Sequence, residues 1–259
     1  MSDILITRDG DVLVFTLNRP DHLNPLSPAM REEMIATLNA EMLNPQARAI
    51  VITGAGRGFC TGADLDLSTI MERRPLIETQ MMGGINQVIQ LLRNIPVPVI
   101  AAVNGPAAGA GFGIALAADI MIVADSASFH LSFAKIGASP DGGCVATLCR
   151  KIGEARATAM AMLGDKMDAQ QAFDLGVAHQ MVPTAECLPT AMELAQKLAK
   201  GPTTSYGLIK QQVAAAASSS LDDSLRLEAS CQYRAFNSQD FAEGVTAFVE
   251  KRSPKFQGR

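Results

Sequence analysis

Apolar residues follow two rhythms along this chain. Unbroken runs at residues 12–17, 49–53, 99–103 and 120–124 show no period and stop at asparagine, glycine or aspartate, which predicts buried strands. Residues 4–7 add a strand joined to the first run across Asp9-Gly10, a hairpin signal, and residues 128–131 and 177–182 add two more, the last stopped by Pro183. Elsewhere the apolar positions return every third or fourth residue. Met30, Met34, Ile35, Leu38 and Met42 to Leu43 follow Ser27-Pro28, an N-cap with proline in the first turn, and predict a helix that ends at Asn44-Pro45. The pattern is helical again over 71–93, in a small-residue helix leaving Gly109 to Gly113, and over 144–150 and 169–175. A further helix begins at Gly153, and its continuation through Met160 to Met167 carries a break at Gly164. Strand, turn and helix thus alternate, an α/β pattern. From about Leu188 the strand signals vanish and helices are predicted near 189–200, 203–217, 221–236 and 238–249. The chain divides on this basis into a core over 1–187 and a helical segment over 188–259, expected to pack across the core or against another subunit. No linker rich in Gly, Ser or Pro separates the two.

Composition narrows the class of protein. At 259 residues and 48% hydrophobic, the chain can bury a large core. A net charge of -4 with no Lys/Arg cluster argues against nucleic acid or an anionic membrane surface as a partner. No apolar run reaches the roughly 18 residues of a membrane span, and Met1-Ser-Asp-Ile does not open a signal peptide, so a soluble cytoplasmic protein is expected. The five cysteines (Cys60, Cys144, Cys149, Cys187, Cys231) and three histidines (His22, His130, His179) are scattered, which predicts neither a disulfide frame nor a metal site.

Candidate chemistry sits in three glycine-rich turns, at 54–65, 104–113 and 136–143. Gly109-Ala-Gly-Phe-Gly113 fails as a dinucleotide fingerprint, because the third required glycine is Ile114 in one register and Leu116 in the other. No Gly-Lys-Ser/Thr and no Gly-x-Ser-x-Gly is present. Cys60 and Cys144 have no histidine nearby in sequence and read as small buried hydrophobes. What remains is a set of backbone N–H groups at helix starts, which hold anions or developing oxyanions, and nearby acids. On the residues alone Asp141, before Gly142-Gly143 at a helix start, reads as an N-cap.

Five segments carry a resemblance. Phe59-Cys-Thr-Gly-Ala-Asp-Leu65, the stretch from Pro98 to Gly111, Ile136-Gly-Ala-Ser-Pro-Asp-Gly-Gly143, Ala172-Phe-Asp-Leu-Gly-Val177 and the ending from Glu243 to Phe256 resemble the crotonase superfamily, the enoyl-CoA hydratase and isomerase group, in the family's order from Asn18 to Phe256. The resemblance implies a ClpP-like α/β spiral of repeated β-β-α units with a C-terminal helical trimerisation segment, forming a homotrimer or dimer of trimers. It implies an acyl-CoA thioester as substrate, with coenzyme A part of that substrate and no separate cofactor. By position, the backbone N–H groups of Ala63 and Ala110 would hold the thioester oxygen, with Gly109, Asp64 and Leu65 beside them. His22 and Leu23 fall where the family contacts the CoA nucleotide, and Lys251 and Phe256 where it reaches the CoA of a neighbouring subunit. Hydratases of the family carry two glutamates, at places occupied here by Gly113 and Phe133. The segment around Asp141 resembles family isomerases, including the ring-epoxide isomerase of phenylacetate breakdown, that use an aspartate as acid/base. Isomerisation through Asp141 is therefore expected. The alternatives are a hydratase using Asp141, Glu72 or Glu78, and a non-catalytic acyl-CoA-binding homologue.

Overall fold

The computed structural model of the chain describes residues 2–64, 71–72 and 74–259. Strands β1 (Ile4–Asp9) and β2 (Val12–Leu17) form the expected antiparallel hairpin, with Gly10 at φ 57° in its turn. β3 (Ala49–Gly54), β4 (Val99–Val103), β6 (Ile120–Ala124) and β9 (Gln180–Val182) follow in parallel to give one sheet in the order β1-β2-β3-β4-β6-β9. β3 and β4 are buried at every position, which is why their sequences are unbroken apolar runs rather than alternating ones.

A second, smaller sheet contains β5 (Pro106–Ala108), β7 (Ser128–His130) and β8 (Lys166–Asp168). Isolated parallel bridges, Leu26 with Ala63 and Cys60 with Ala107, continue it toward the N-terminus. Successive turns of the chain therefore repeat one unit. A strand in the large sheet leads to a short strand or bridge in the small one, and a helix returns. β2, Leu26 and the helix Pro28–Leu43 make one turn; β4, β5 and the helix Ala110–Ala117 make another; β6, β7 and the helix Cys144–Ile152 make a third. This is the expected spiral of β-β-α units. Helices Cys187–Ala199, Thr203–Ala216, Leu221–Phe236 and Gln239–Val249 close the chain as predicted, and the first packs under β3 and β4 along Ala191 and Ala195, both fully buried.

Some expectations change. β5 was legible only as turn punctuation, and β8 falls where a broken helix was expected. Three-residue strands carry no period of their own, and pairing with β7 supplies their backbone partners. The predicted strand at 177–182 shortens to β9. The helical stretch 71–93 is interrupted at Gly83-Gly84, between helices Ile77–Met82 and Ile85–Asn94. Within that stretch Met71 and Met82 are exposed, whereas Met81 packs partly buried against the core.

The helix Ala110–Ala117 is buried on all sides, and its small residues are what let it sit there. A Cβ on Gly111 would lie 2.7 Å from both the Cβ and Sγ of Cys60, so the helix can lie this close to the Cys60 turn only with glycine at that position. No helix among the described residues is long and apolar enough to cross a membrane, and none of their His, Cys, Asp and Glu side chains gather in threes as a metal site.

Candidate active site

Two glycine turns meet at one place. Phe59 N–H and Cys60 N–H donate to the Pro106 carbonyl at 3.1 and 3.2 Å, and Ala108 N–H returns a bond to the Cys60 carbonyl at 2.8 Å. The ends of these segments are thereby held in parallel. Gly62, at φ 88°, lies against the next peptide: a Cβ on it would be 2.9 Å from the Ala108 oxygen and 3.3 Å from the Ala110 nitrogen. Ala63 and Ala110 therefore lie on facing segments. Ala110 is the first helical residue after Gly109, so its N–H has no intrahelical acceptor, and among the described residues neither it nor Ala63 N–H donates to a protein oxygen. Two neighbouring backbone donors are left for a ligand.

Gly109 adopts φ 51° and ψ −127°, a conformation open to glycine, and its N–H is held by the His130 carbonyl at 3.1 Å. The loop bearing His22 and Leu23 is latched to the other turn. Asn24, fully buried at φ 58°, donates through Nδ2 to the carbonyls of Ala55 (2.9 Å) and Gly58 (2.8 Å), while Leu23 accepts from Thr61 N–H at 3.2 Å. Asn104 grips the same turn, donating to the Gly54 and Gly56 carbonyls at 2.9 Å each. Both asparagines lie outside helices and strands, with no local pattern of their own. Nothing local distinguishes them, because their partners lie 31 to 50 positions away.

Asp141 is brought beside the donors by its neighbour Gly142, which packs on the helix Ala110–Ala117. A Cβ on Gly142 would be 3.4 Å from the Gly113 Cα and 3.6 Å from the Ala110 Cα. The capping role that the residues alone suggested is not what the side chain does. The cap of the helix Cys144–Ile152 is Gly143, with no side-chain cap bond, and Asp141 Oδ1 is buried without a hydrogen-bond partner. Burial pushes its carboxyl above the ordinary 3.8, and the positive charge of Arg31, on the helix Pro28–Leu43, works against that rise.

Both places where family hydratases carry a glutamate are filled in a different way. A Cβ on Gly113 would lie 2.7 Å from the Gly142 carbonyl oxygen and 3.1 Å from its Cα, so the backbone of the Asp141 turn has closed over that position. The half-buried Phe133, in a 3-10 turn over Ser132–Ile136, brings its ring edge within 3.3 Å of where a Gly109 Cβ would be. An aromatic edge therefore stands beside the Gly109–Ala110 peptide.

The remaining candidates spread out. The half-exposed Asp64 accepts from the Arg19 guanidinium at 2.6 Å, an ion pair that ties the His22 loop to the turn bearing Ala63. Leu65 lies outside the described residues. Glu72 and Glu78 are exposed. Lys251, at φ 54°, and Phe256 lie on a tail folded back over the helix Gln239–Val249, where the Phe256 ring packs against Gly244. Asp240 fixes this tail by accepting from the N–H groups of Gln257 and Gly258 at 2.6 and 2.7 Å, and Arg48 donates to the Phe256 carbonyl at 3.3 Å. Asp119 has a supporting role, accepting from Lys210 (2.7 Å) and Val99 N–H (2.9 Å). His130 faces Ser128 at 3.0 Å; burial, then Lys166 and Lys135, keep its imidazole below its ordinary range.

Backbone N–H groups left free at the ends of adjacent turns of a β-β-α spiral, with a half-buried aspartate on the turn packed against them, define the class: a site that can hold a developing oxyanion while a proton moves. The chain belongs to the enoyl-CoA hydratase/isomerase family, whose model matches residues 7–259, and its fold is the crotonase fold. It is similar to the 1,2-epoxyphenylacetyl-CoA isomerase of Escherichia coli, 41% identical over 261 residues covering 100% of both chains. It is also similar to a Rhodobacter capsulatus protein named "Probable enoyl-CoA hydratase", 42% identical over 95% of this chain and 94% of that one. Among solved structures, an enoyl-CoA hydratase from a Polaromonas species superposes with a TM-score of 0.92 at 35% identity, covering 98% of this chain and 99% of the other.

Proposed function

We propose that the protein is an acyl-CoA isomerase in which Ala63 N–H and Ala110 N–H hold the thioester oxygen and Asp141 moves the proton. One observation carries this reading: with Gly113 roofed by the Gly142 backbone and Phe133 in the second glutamate place, Asp141 is the carboxyl beside the donor pair, and its Oδ1 has no protein partner. The carboxylate takes a proton from the carbon next to the thioester, and the electron pair moves into the carbonyl to form an enolate whose oxygen the two N–H groups bind. The same carboxyl, now protonated, returns the proton to a different carbon as the double bond shifts. Atoms balance without water. Coenzyme A enters and leaves as part of the substrate.

The test is to incubate the protein with 2-enoyl and 3-enoyl thioesters of CoA in deuterated water. A shifted double bond with no hydroxyacyl product is expected, carrying deuterium to the extent that the proton on Asp141 exchanges with solvent before it is returned. Formation of a hydroxyacyl-CoA as the main product would replace this reading by hydration, the activity in the names of several relatives.

Arg31 offers a finer check. Its charge opposes the upward push of burial on Asp141, so Arg31→Gln lets that carboxyl rise further. A base works deprotonated, and the acid limb of the kcat/KM profile is therefore expected at higher pH in the variant. A limb that stays in place, or moves down, contradicts the assignment.

The trimeric assembly is part of the same reading. Leu221, Leu225, Tyr233, Phe236, Phe248 and Val249 are all exposed on the last two helices, an apolar surface suited to a second copy of the chain. Light scattering at micromolar concentration is expected to give the mass of three or six chains; a monomer would reject it.

A further inference from the structure

The peptide that joins Gly109 to Ala110 has two ends. Its N–H is the Ala110 donor, and its carbonyl points back into the protein. There the Gly109 oxygen accepts from Gly113 N–H at 3.1 Å and from the Cys144 thiol at 3.5 Å. The Gly113 bond is the ordinary first bond of the helix. The thiol comes from a different turn of the spiral, at the start of the helix Cys144–Ile152, where Cys144 N–H also donates to the Asp141 carbonyl at 3.1 Å. One buried residue is thus tied to the acid's turn and to the donor's peptide.

Resting on the oxyanion reading above, we propose that Cys144 is a positioning residue, whose S–H, by donating to the Gly109 carbonyl, fixes the plane of the Gly109–Ala110 peptide and strengthens its N–H as a donor. Two physical effects combine. Gly109 has no Cβ and occupies a conformation that L side chains rarely adopt, so an anchor on its carbonyl restrains a plane that local sterics leave loose. A hydrogen bond to an amide oxygen also polarises the amide, and hydrogen bonds in such a chain reinforce each other. The thiol is suited to this work because it keeps its proton: burial, and then the negative charge of Asp141, push it up to about 12. Its role is that of a neutral donor, distinct from any nucleophilic use of the sulfur.

The experiment compares wild type, Cys144→Ala and Cys144→Ser with Asp141→Asn as a reference. Each is saturated with the CoA thioester of 4-dimethylaminocinnamic acid, whose absorption moves to the red as its carbonyl oxygen is polarised. In parallel, kcat and KM are measured for the best enoyl thioester, and thermal unfolding confirms the fold of each variant. Cys144→Ala is expected to bind the probe with a smaller red shift and to lose kcat by about threefold to tenfold with KM little changed, the range one neutral hydrogen bond supports. Cys144→Ser, which keeps a donor, is expected to recover both. An unchanged shift and kcat in Cys144→Ala overturns the inference, as does a serine variant that behaves like alanine, since the loss would then come from packing. Asp141→Asn is expected to keep the full shift, since the backbone donors rather than the acid polarise the carbonyl, and retained turnover in it would put only the proton-transfer assignment at fault. Absence of a shift in wild type instead overturns the oxyanion reading itself.

Discussion

Asp141→Asn is expected to abolish double-bond migration and deuterium incorporation while leaving the fold intact or slightly more stable. The amide has nearly the volume of the carboxyl but cannot take a proton, and the loss of a positioned acid/base is worth about 10²–10⁴-fold. The stability half of the result follows from the sign of the shift. Asp141 sits with a buried, unpartnered Oδ1, and burial raises its carboxyl above the ordinary 3.8 despite Arg31. A raised folded value means the fold favours the protonated form, so this residue's contribution is fully present below the ordinary value and is lost as pH rises through the folded one. Above that folded value the native residue is held ionised at a cost, which asparagine removes, the usual relation between a working site and stability. Retained exchange in Asp141→Asn, or a variant that unfolds at neutral pH, would remove Asp141 from its role. A helix cap would predict the opposite pattern, with stability lost and activity spared.

Ala110→Pro is the second large effect. Proline is tolerated at the first position of a helix, where the N–H has no intrahelical partner, and Ala110 occupies that position after Gly109. The substitution deletes the donor and leaves the helix hydrogen bonds in place. Removal of one oxyanion donor costs about 10²–10³ in kcat, and a loss of that order is expected here, together with a smaller red shift of the bound cinnamoyl probe and little change in thermal unfolding. Because the donor is backbone, Ala110→Gly is expected to keep most of the activity. A proline variant with wild-type turnover would show that the thioester oxygen binds elsewhere.

The two substitutions address parts of the site that were legible to different degrees. The glycine turns were readable because they depend on local features: a strand, a glycine turn and a helix start each announce themselves over a few residues, as in Val99–Val103 followed by Gly109 to Gly113, whereas the choice of Ala63 and Ala110 as donors rested on the family resemblance. Asp141 was visible as an acid, but its local setting pointed to a cap. Only the folded chain shows that the helix it precedes is capped by Gly143 without a side-chain bond, and that the Asp141 turn packs on Ala110 and Gly113. Arg31 and Cys144 gave no signal. Arg31 belongs to the first helix, 110 positions before the acid it acts on, and Cys144 matters through one carbonyl 35 positions away. The short strands β5 and β8 were lost for a related reason, since three residues define no period and their backbone bonds are made by β7 and, for β5, by the Cys60 turn as well.

By itself, then, the chain's pattern determined the α/β class, the alternation of strand, turn and helix, the four closing helices and the two glycine turns, because these depend on periodicity, caps and glycine geometry over short spans. The tertiary structure alone decided that both turns face each other through Gly62, that the Gly142 backbone closes over Gly113, and that the Asp141 turn packs on Ala110 with the Oδ1 of Asp141 buried and without a hydrogen bond. Those are contacts between residues distant in sequence, made by the spiral stacking of one β-β-α turn on the next, and no local pattern encodes which atoms a stacked turn will meet.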